Sequence, residues 1–181
     1  ESAEKADELV KNLSLGGSIT AATVSLNAAT VCEAFDRPHE ALERYGEAKS
    51  IYEDFLEPTD SRLGGLYNNM ALACVSLKEY DRARELYQKA IEVMSALPGG
   101  KPETAITYLN LANAAEAQQG LENADGFISD CLQTAEELLL DGSNAQDGNY
   151  AFVCEKCAPT FEYYGWFMTA EELKRRSDGI Y

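Results

Sequence analysis

The sequence predicts an all-α protein built as a stack of antiparallel helix pairs. Three observations carry that prediction. One segment recurs at intervals of 42 and then 41 residues, apolar positions inside each copy are three and four apart, and polar or Gly/Pro-rich stretches separate the copies. Steps of three and four keep apolar side chains on one face of a helix, whereas a strand would alternate every second residue.

Taken in order, residues 1–16 read as the second helix of a pair whose first helix is missing, with Ala3 to Leu13 carrying the helical pattern. The polypeptide is therefore expected to extend upstream of Glu1. The opening Glu1-Ser2-Ala3-Glu4-Lys5 has no basic stretch leading into an apolar one, so it does not read as a signal peptide. The first full copy, 17–59, holds Ser25-Leu26-Asn27-Ala28-Ala29 and then Asp36-Arg37-Pro38-His39-Glu40-Ala41. The second, 60–101, holds Tyr67-Asn68-Asn69-Met70-Ala71 and then Lys78-Glu79-Tyr80-Asp81-Arg82-Ala83. Its apolar set Tyr67, Met70, Ala71, Cys74 is followed, after a break at Lys78-Glu79, by Ala83, Leu86, Tyr87, Ala90, Ile91, Met94, which makes two helices per copy. The third, 102–146, holds Tyr108-Leu109-Asn110-Leu111-Ala112 and then Gln119-Gly120-Leu121-Glu122-Asn123-Ala124. Pro98-Gly99-Gly100-Lys101-Pro102 precedes it and the polar run from Asp141 to Gly148 follows, read as a long loop. The last copy, 147–181, is divergent and contains Gly165-Trp166-Phe167-Met168-Thr169-Ala170. The whole chain reads as one repeat domain.

Composition narrows the function. With 181 residues, 45% hydrophobic, the chain can bury a sizeable core, yet no stretch approaches the ~18–20 continuous apolar residues that span a membrane. Fifteen basic against 31 acidic residues give a net charge of −16, which repels phosphate backbones and anionic lipid; nucleic acid and membrane are excluded as partners. Five cysteines, an odd number scattered through helical patterns, suit buried free thiols in a reducing, cytoplasmic setting.

The pattern resembles the tetratricopeptide repeat (TPR) family, in the long form of kinesin-light-chain-type repeats. Tyr67 and Tyr108 stand where the family has an aromatic early in the first helix, and Ala28-Ala29, Met70-Ala71 and Leu111-Ala112 stand at its large-small pair. Ala41, Ala83, Ala124 and Ala170 match the small residue of the second helix; Tyr45, Tyr87 and Ile128 follow four positions on, then Ala48, Ala90 and Cys131. The resemblance implies a right-handed superhelical solenoid whose first helices line a concave groove, in a bacterial cytoplasmic protein of which this chain is a fragment. Two departures stand out: only Gly165 occupies the family's turn glycine, and Pro159 falls inside the first helix of the last copy, where a kink or an irregular start is expected.

Asn27, Asn69 and Asn110 share one repeat position. Asparagine is a poor helix former, so three on one face ask for a reason; a carboxamide supplies the donor and acceptor that match a peptide unit. The resemblance implies a grip on a ligand backbone; the alternative is bonding between neighbouring helices. Leu26, Thr30, Asn68, Leu72, Leu109, Asn113 and Glu116 join the expected groove, and Lys156 takes the asparagine's place in the last copy. Thr23, Gly65 and Ile106, one turn before the asparagines, are not basic, so the family's cationic clamp for a terminal carboxylate is absent. Cys154-Glu155-Lys156-Cys157 lacks further zinc ligands and reads as core, His39 is isolated, and no phosphate loop or nucleophile motif occurs. No metal, cofactor or catalysis is expected. The expected function is a non-catalytic scaffold for a protein or peptide in the groove, with a peptide-sensing regulatory domain of a longer protein, or a structural module that self-associates as a homo-oligomer, as alternatives.

Overall fold

The computed structural model describes residues 17–180; the helix expected over Ala3 to Leu13 lies outside the described residues. Among these the chain forms eight α-helices and no strand: α1 Ile19–Ala34, α2 Pro38–Phe55, α3 Ser61–Ser76, α4 Tyr80–Ser95, α5 Lys101–Gln119, α6 Leu121–Leu140, α7 Gly148–Tyr163 and α8 Phe167–Asp178. The all-α prediction holds, and the helices come in adjacent pairs. The chain divides into two compact units, Glu1–Val93 and Met94–Tyr181.

In the first unit α1 packs against α2, α2 against α3, and α1 also touches α3. The Ser18 side chain accepts from the Ala21 N–H and caps α1, while Asp60 accepts from the Arg62 N–H and caps α3; each satisfies a backbone donor that a helix start leaves over. Pro38 opens α2, where its missing N–H has no intrahelical partner to lose. The small residues Ala41 and Ala83 are fully buried, as are Tyr45, Ala48, Tyr87 and Ala90 further along the same helices.

In the second unit α5 packs against α6, α7 against α8, and α5 also touches α7. Ala124, Ile128, Cys131 and Ala170 are core residues there, together with Tyr150, Cys154, Cys157 and Phe161. The expected irregularity at Pro159 is corrected: α7 runs unbroken through Pro159, and its start is regular, with the Asp147 side chain accepting from the Tyr150 N–H. Pro159 and Glu155 are both exposed, so the Glu155 carbonyl that loses its partner can be served by water. The polar run after α6 is tied down: Asn144 is buried and donates to the Leu138 and Leu139 carbonyls at 2.8 and 3.0 Å, and Lys101 pairs with Asp141 at 2.9 Å.

The turns inside the pairs share one device. A residue with positive φ sits at each: Asp36 (55°), Lys78 (62°), Gly120 (79°) and Gly165 (81°). At three of them the following N–H closes onto the carbonyl five residues back, in Arg37 to Cys32 (2.9 Å), Glu79 to Cys74 (2.9 Å) and Trp166 to Phe161 (2.8 Å), the hydrogen bond of a Schellman-type helix end. The turn needs the left-handed conformation rather than glycine as such, and Asp36 and Lys78 supply it in the copies without one.

Candidate functional site

The expected groove residues lie on the first helix of each pair, α1 and α3 in the first unit and α5 and α7 in the second. In the first unit, Asn27 and Thr30 are exposed and Glu33 is half-buried along one stripe of α1. The helix repeat sets that stripe, because steps of three and four residues share a face. The Asn27 carboxamide has no hydrogen-bond partner among the described residues. On α3, Asn68, Asn69, Leu72 and Val75 are half-buried, and Asn68 Nδ2 lies 3.5 Å from Asn69 Oδ1, the long limit of a hydrogen bond.

At the far end of this face, buried Tyr45 reaches up from α2. Its hydroxyl donates to Glu33 Oε2 at 2.5 Å and lies 3.4 Å from Thr30 Oγ1. Burial pushes the Glu33 carboxyl above the ordinary glutamate range, partly offset by the Tyr45 hydrogen bond. One copy on, Leu72 and Val75 replace Thr30 and Glu33. Tyr87, the counterpart of Tyr45, is 0% exposed, and its hydroxyl has no hydrogen-bond partner. Burial, and then the charge of Glu33, raise its pKa.

A separate concavity of about 320 Å³ opens beside the α2–α3 turn, between Leu56, Leu63, Tyr67 and Val93. Tyr67 donates to Glu53 at 2.9 Å, Lys49 pairs with Glu53 at 2.9 Å, and the Lys89 ammonium stands 5.7 Å from the Tyr67 ring centre. Burial and the Glu53 carboxylate push the Tyr67 hydroxyl up to about 12. Glu53 and Lys89 thus already have partners inside the protein, which leaves this concavity little polar capacity for a ligand.

In the second unit, α5 presents half-buried Ile106 and Asn110 and exposed Asn113, and α7 presents Phe152, Lys156 and Tyr163. The two helices are bridged at both ends. Asn149 donates to Glu103 at 2.9 Å; the Tyr164 hydroxyl donates to Glu116 Oε2 at 2.7 Å and lies 3.0 Å from Asn113 Oδ1; Tyr163 donates to Glu116 Oε1 at 2.7 Å. Both oxygens of Glu116 are therefore occupied by tyrosines, whose rings meet edge to face at 4.9 Å.

Of the expected groove residues, Asn27 lies on α1 and Asn68, Asn69 and Leu72 on α3 of the first unit, and Asn110 and Asn113 lie on α5 and Lys156 on α7 of the second. Leu109 does not join them: it is 3% exposed and belongs to the core of the second unit. It neighbours Asn110 in sequence, but successive helical residues point about 100° apart. Phe152 and Tyr163, 56% and 67% exposed, flank Lys156 and were not singled out from sequence. Their spacing of four before and seven after Lys156 on one helix is the signal that places them on its face.

The remaining chemistry is structural. All five cysteines are buried and free. Burial pushes the thiols of Cys74 and Cys131 up to about 11 and that of Cys157 up to about 12, which leaves them protonated and poor nucleophiles. Cys154 and Cys157, the C-x-x-C pair, both lie in the core of the second unit. His39 is exposed at the start of α2. Among the described residues no group of His, Cys, Asp and Glu is placed to hold a metal ion, and no helix is long and apolar enough to cross a membrane.

Comparison with known proteins bears on the fold. The family profile described as Tetratricopeptide repeat matches residues 62–137. The sequence is 32% identical over 105 residues to Protein HGV2 of Halocynthia roretzi, a match that covers 56% of this chain and 19% of that protein. The chain thus spans about a fifth of that curated relative's length. The fold is similar to the crystal structure of Podosopora anserina kinesin-light-chain TPR-like repeats, with a TM-score of 0.62 at 15% identity over 98% of this chain and 84% of the other. It is also similar to BtubC (BKLC) from P. vanneervenii, with a TM-score of 0.58 at 19% identity over 89% of this chain and 63% of the other.

Proposed function

We propose that this chain, whose residues 62–137 match the tetratricopeptide repeat profile and whose fold is similar to TPR-like helix pairs, is a non-catalytic interaction module that holds an extended peptide segment against the open faces of its first helices. The observation that carries this reading is Asn27. A residue that weakens its own helix stands exposed in the middle of α1, with its carboxamide unpartnered among the described residues and half-buried Asn68 and Asn69 on the neighbouring α3. Amides spaced along packed helices can pair with successive peptide units of an extended chain, while Leu72 offers apolar contact. In the second unit Asn110 and Lys156, between exposed Phe152 and Tyr163, offer the same mixture of polar and apolar contact. Five buried free thiols support a reducing compartment such as the cytoplasm. The charge of −16 opposes self-association by like-charge repulsion and favours a partner that is not itself acidic.

The test is selection of peptides from a random display library on the intact chain, followed by binding to variants. Asn27→Ala and Asn69→Ala are expected each to weaken the selected peptides about tenfold, the loss of one or two hydrogen bonds, with the helical circular dichroism unchanged. Undiminished binding by both folded variants would refute the groove reading.

A further inference from the structure

We propose that Glu33, backed by the Tyr87 hydroxyl, forms a subsite for a cationic side chain, arginine or lysine, of the segment held on the first unit's open face. The proposal rests on the groove reading above and names the chemistry one part of that groove selects. Glu33 follows Asn27 and Thr30 along α1, and among the described residues only one of its oxygens has a partner, the Tyr45 hydroxyl. Among the described residues no basic side chain pairs with it; Arg37, four residues on, is engaged by Glu40.

The molecule holds its own comparison. Glu116 occupies the same repeat position, and there Tyr163 and Tyr164 cap both oxygens. Glu33 has a half-filled version of that arrangement. Tyr87, close enough to feel the charge of Glu33, is held without exposure and without a hydrogen-bond partner, because Leu72 and Val75 stand where Thr30 and Glu33 serve Tyr45. One oxygen of a half-desolvated carboxylate lacks a donor, and the Tyr87 hydroxyl, which can accept as well as donate, has no partner. A guanidinium or ammonium supplies several N–H donors and the compensating charge together, which a neutral side chain cannot. The net charge of −16 adds a field that draws such a group in.

The experiment titrates the intact chain with N-acetyl-arginine amide, N-acetyl-lysine amide and N-acetyl-citrulline amide, the last a neutral isostere of arginine, and follows backbone amide resonances by NMR. The two cations are expected to shift the amides around Thr30, Glu33, Leu72 and Val75 saturably, with citrulline about tenfold weaker or worse. Glu33→Gln is expected to erase that discrimination and Tyr87→Phe to weaken the cations about threefold, while Glu116→Gln, at the capped counterpart, leaves them unchanged. Equal binding of arginine and citrulline compounds by the unmodified protein overturns the subsite and needs no variant to fold. Wild-type discrimination retained in Glu33→Gln overturns it equally, and Tyr87→Phe binding as wild type removes the hydroxyl from it. Either failure leaves the groove reading to be decided separately by Asn27→Ala and Asn69→Ala with the selected peptides.

Discussion

Burial raises the Glu33 carboxyl above the ordinary glutamate range, and the Tyr45 hydrogen bond returns only part of that shift. A group whose pKa is higher folded than unfolded contributes stability that is complete below its unfolded pKa and is lost as pH rises through its folded pKa. At neutral pH the ionised Glu33 therefore works against the fold. Glu33→Gln is expected to melt higher than wild type at about pH 7 and to lose that advantage at about pH 3.5, where the wild-type carboxyl is protonated. Paired thermal melts at the two pH values check it; an advantage that grows on acidification would contradict the burial argument. The two tyrosines of this face differ in the same way. Tyr45→Phe removes the one donor to Glu33 and is expected to destabilise by about 1–3 kcal/mol. Tyr87→Phe removes a buried hydroxyl without a partner and is expected to be neutral or to stabilise by up to about 1 kcal/mol, both read from urea titrations. Variants that gain stability while losing a bound cation would mark Glu33 and Tyr87 as positions kept for binding.

The helix pair is the element in which the sequence is easiest to read. Its core positions are local and periodic: Ala41, Ala83, Ala124 and Ala170 stand at the small-residue position that the family resemblance implies, and all four are buried. Its turns were harder. The family pattern has glycine there, yet the turn requires positive φ, which Asp36 and Lys78 adopt at some strain because a Cβ crowds the carbonyl in that region. Lys78→Gly is therefore expected to stabilise the protein by about 0.5–1 kcal/mol, relief of strain set against the greater freedom of glycine in the unfolded chain. A loss of stability in a denaturant titration would show that the Lys78 side chain holds the turn by contacts that outweigh its strain. The candidate site was legible where it follows the helix period, as at Asn27 and Asn69. It was not legible where a distant side chain decides the outcome. Nothing local to Asn113 or Glu116 announces that Tyr163 and Tyr164, about fifty residues later, occupy their acceptors. Likewise the Tyr87 vacancy shows only when its neighbours are compared with those of Tyr45.

At the scale of the whole molecule, 31 carboxylates face 15 basic groups, and among the described residues several basic side chains find a partner close by in sequence: Arg37 with Glu40, Lys49 with Glu53, Arg62 with Asp60, Arg82 with Glu79, Arg175 and Arg176 with Glu172. Exposed pairs of this kind contribute about 0–1 kcal/mol each and hold no distant parts together. What remains is an excess of negative charge that repels itself in the folded state more than in the expanded unfolded one. Salt should therefore stabilise this protein. Between about 10 mM and about 200 mM sodium chloride the screening length falls from roughly 30 Å to under about 10 Å, so repulsion among separated carboxylates fades while contact pairs weaken less. The melting temperature is expected to rise over that range. Binding of N-acetyl-arginine amide is expected to weaken over the same range, because the field that attracts the cation is screened as well. The opposite signs are the test. A melting temperature that falls with salt would mean that ion pairs outweigh repulsion, and cation binding indifferent to salt would mean that the charge of the chain plays no part in recruiting its partner.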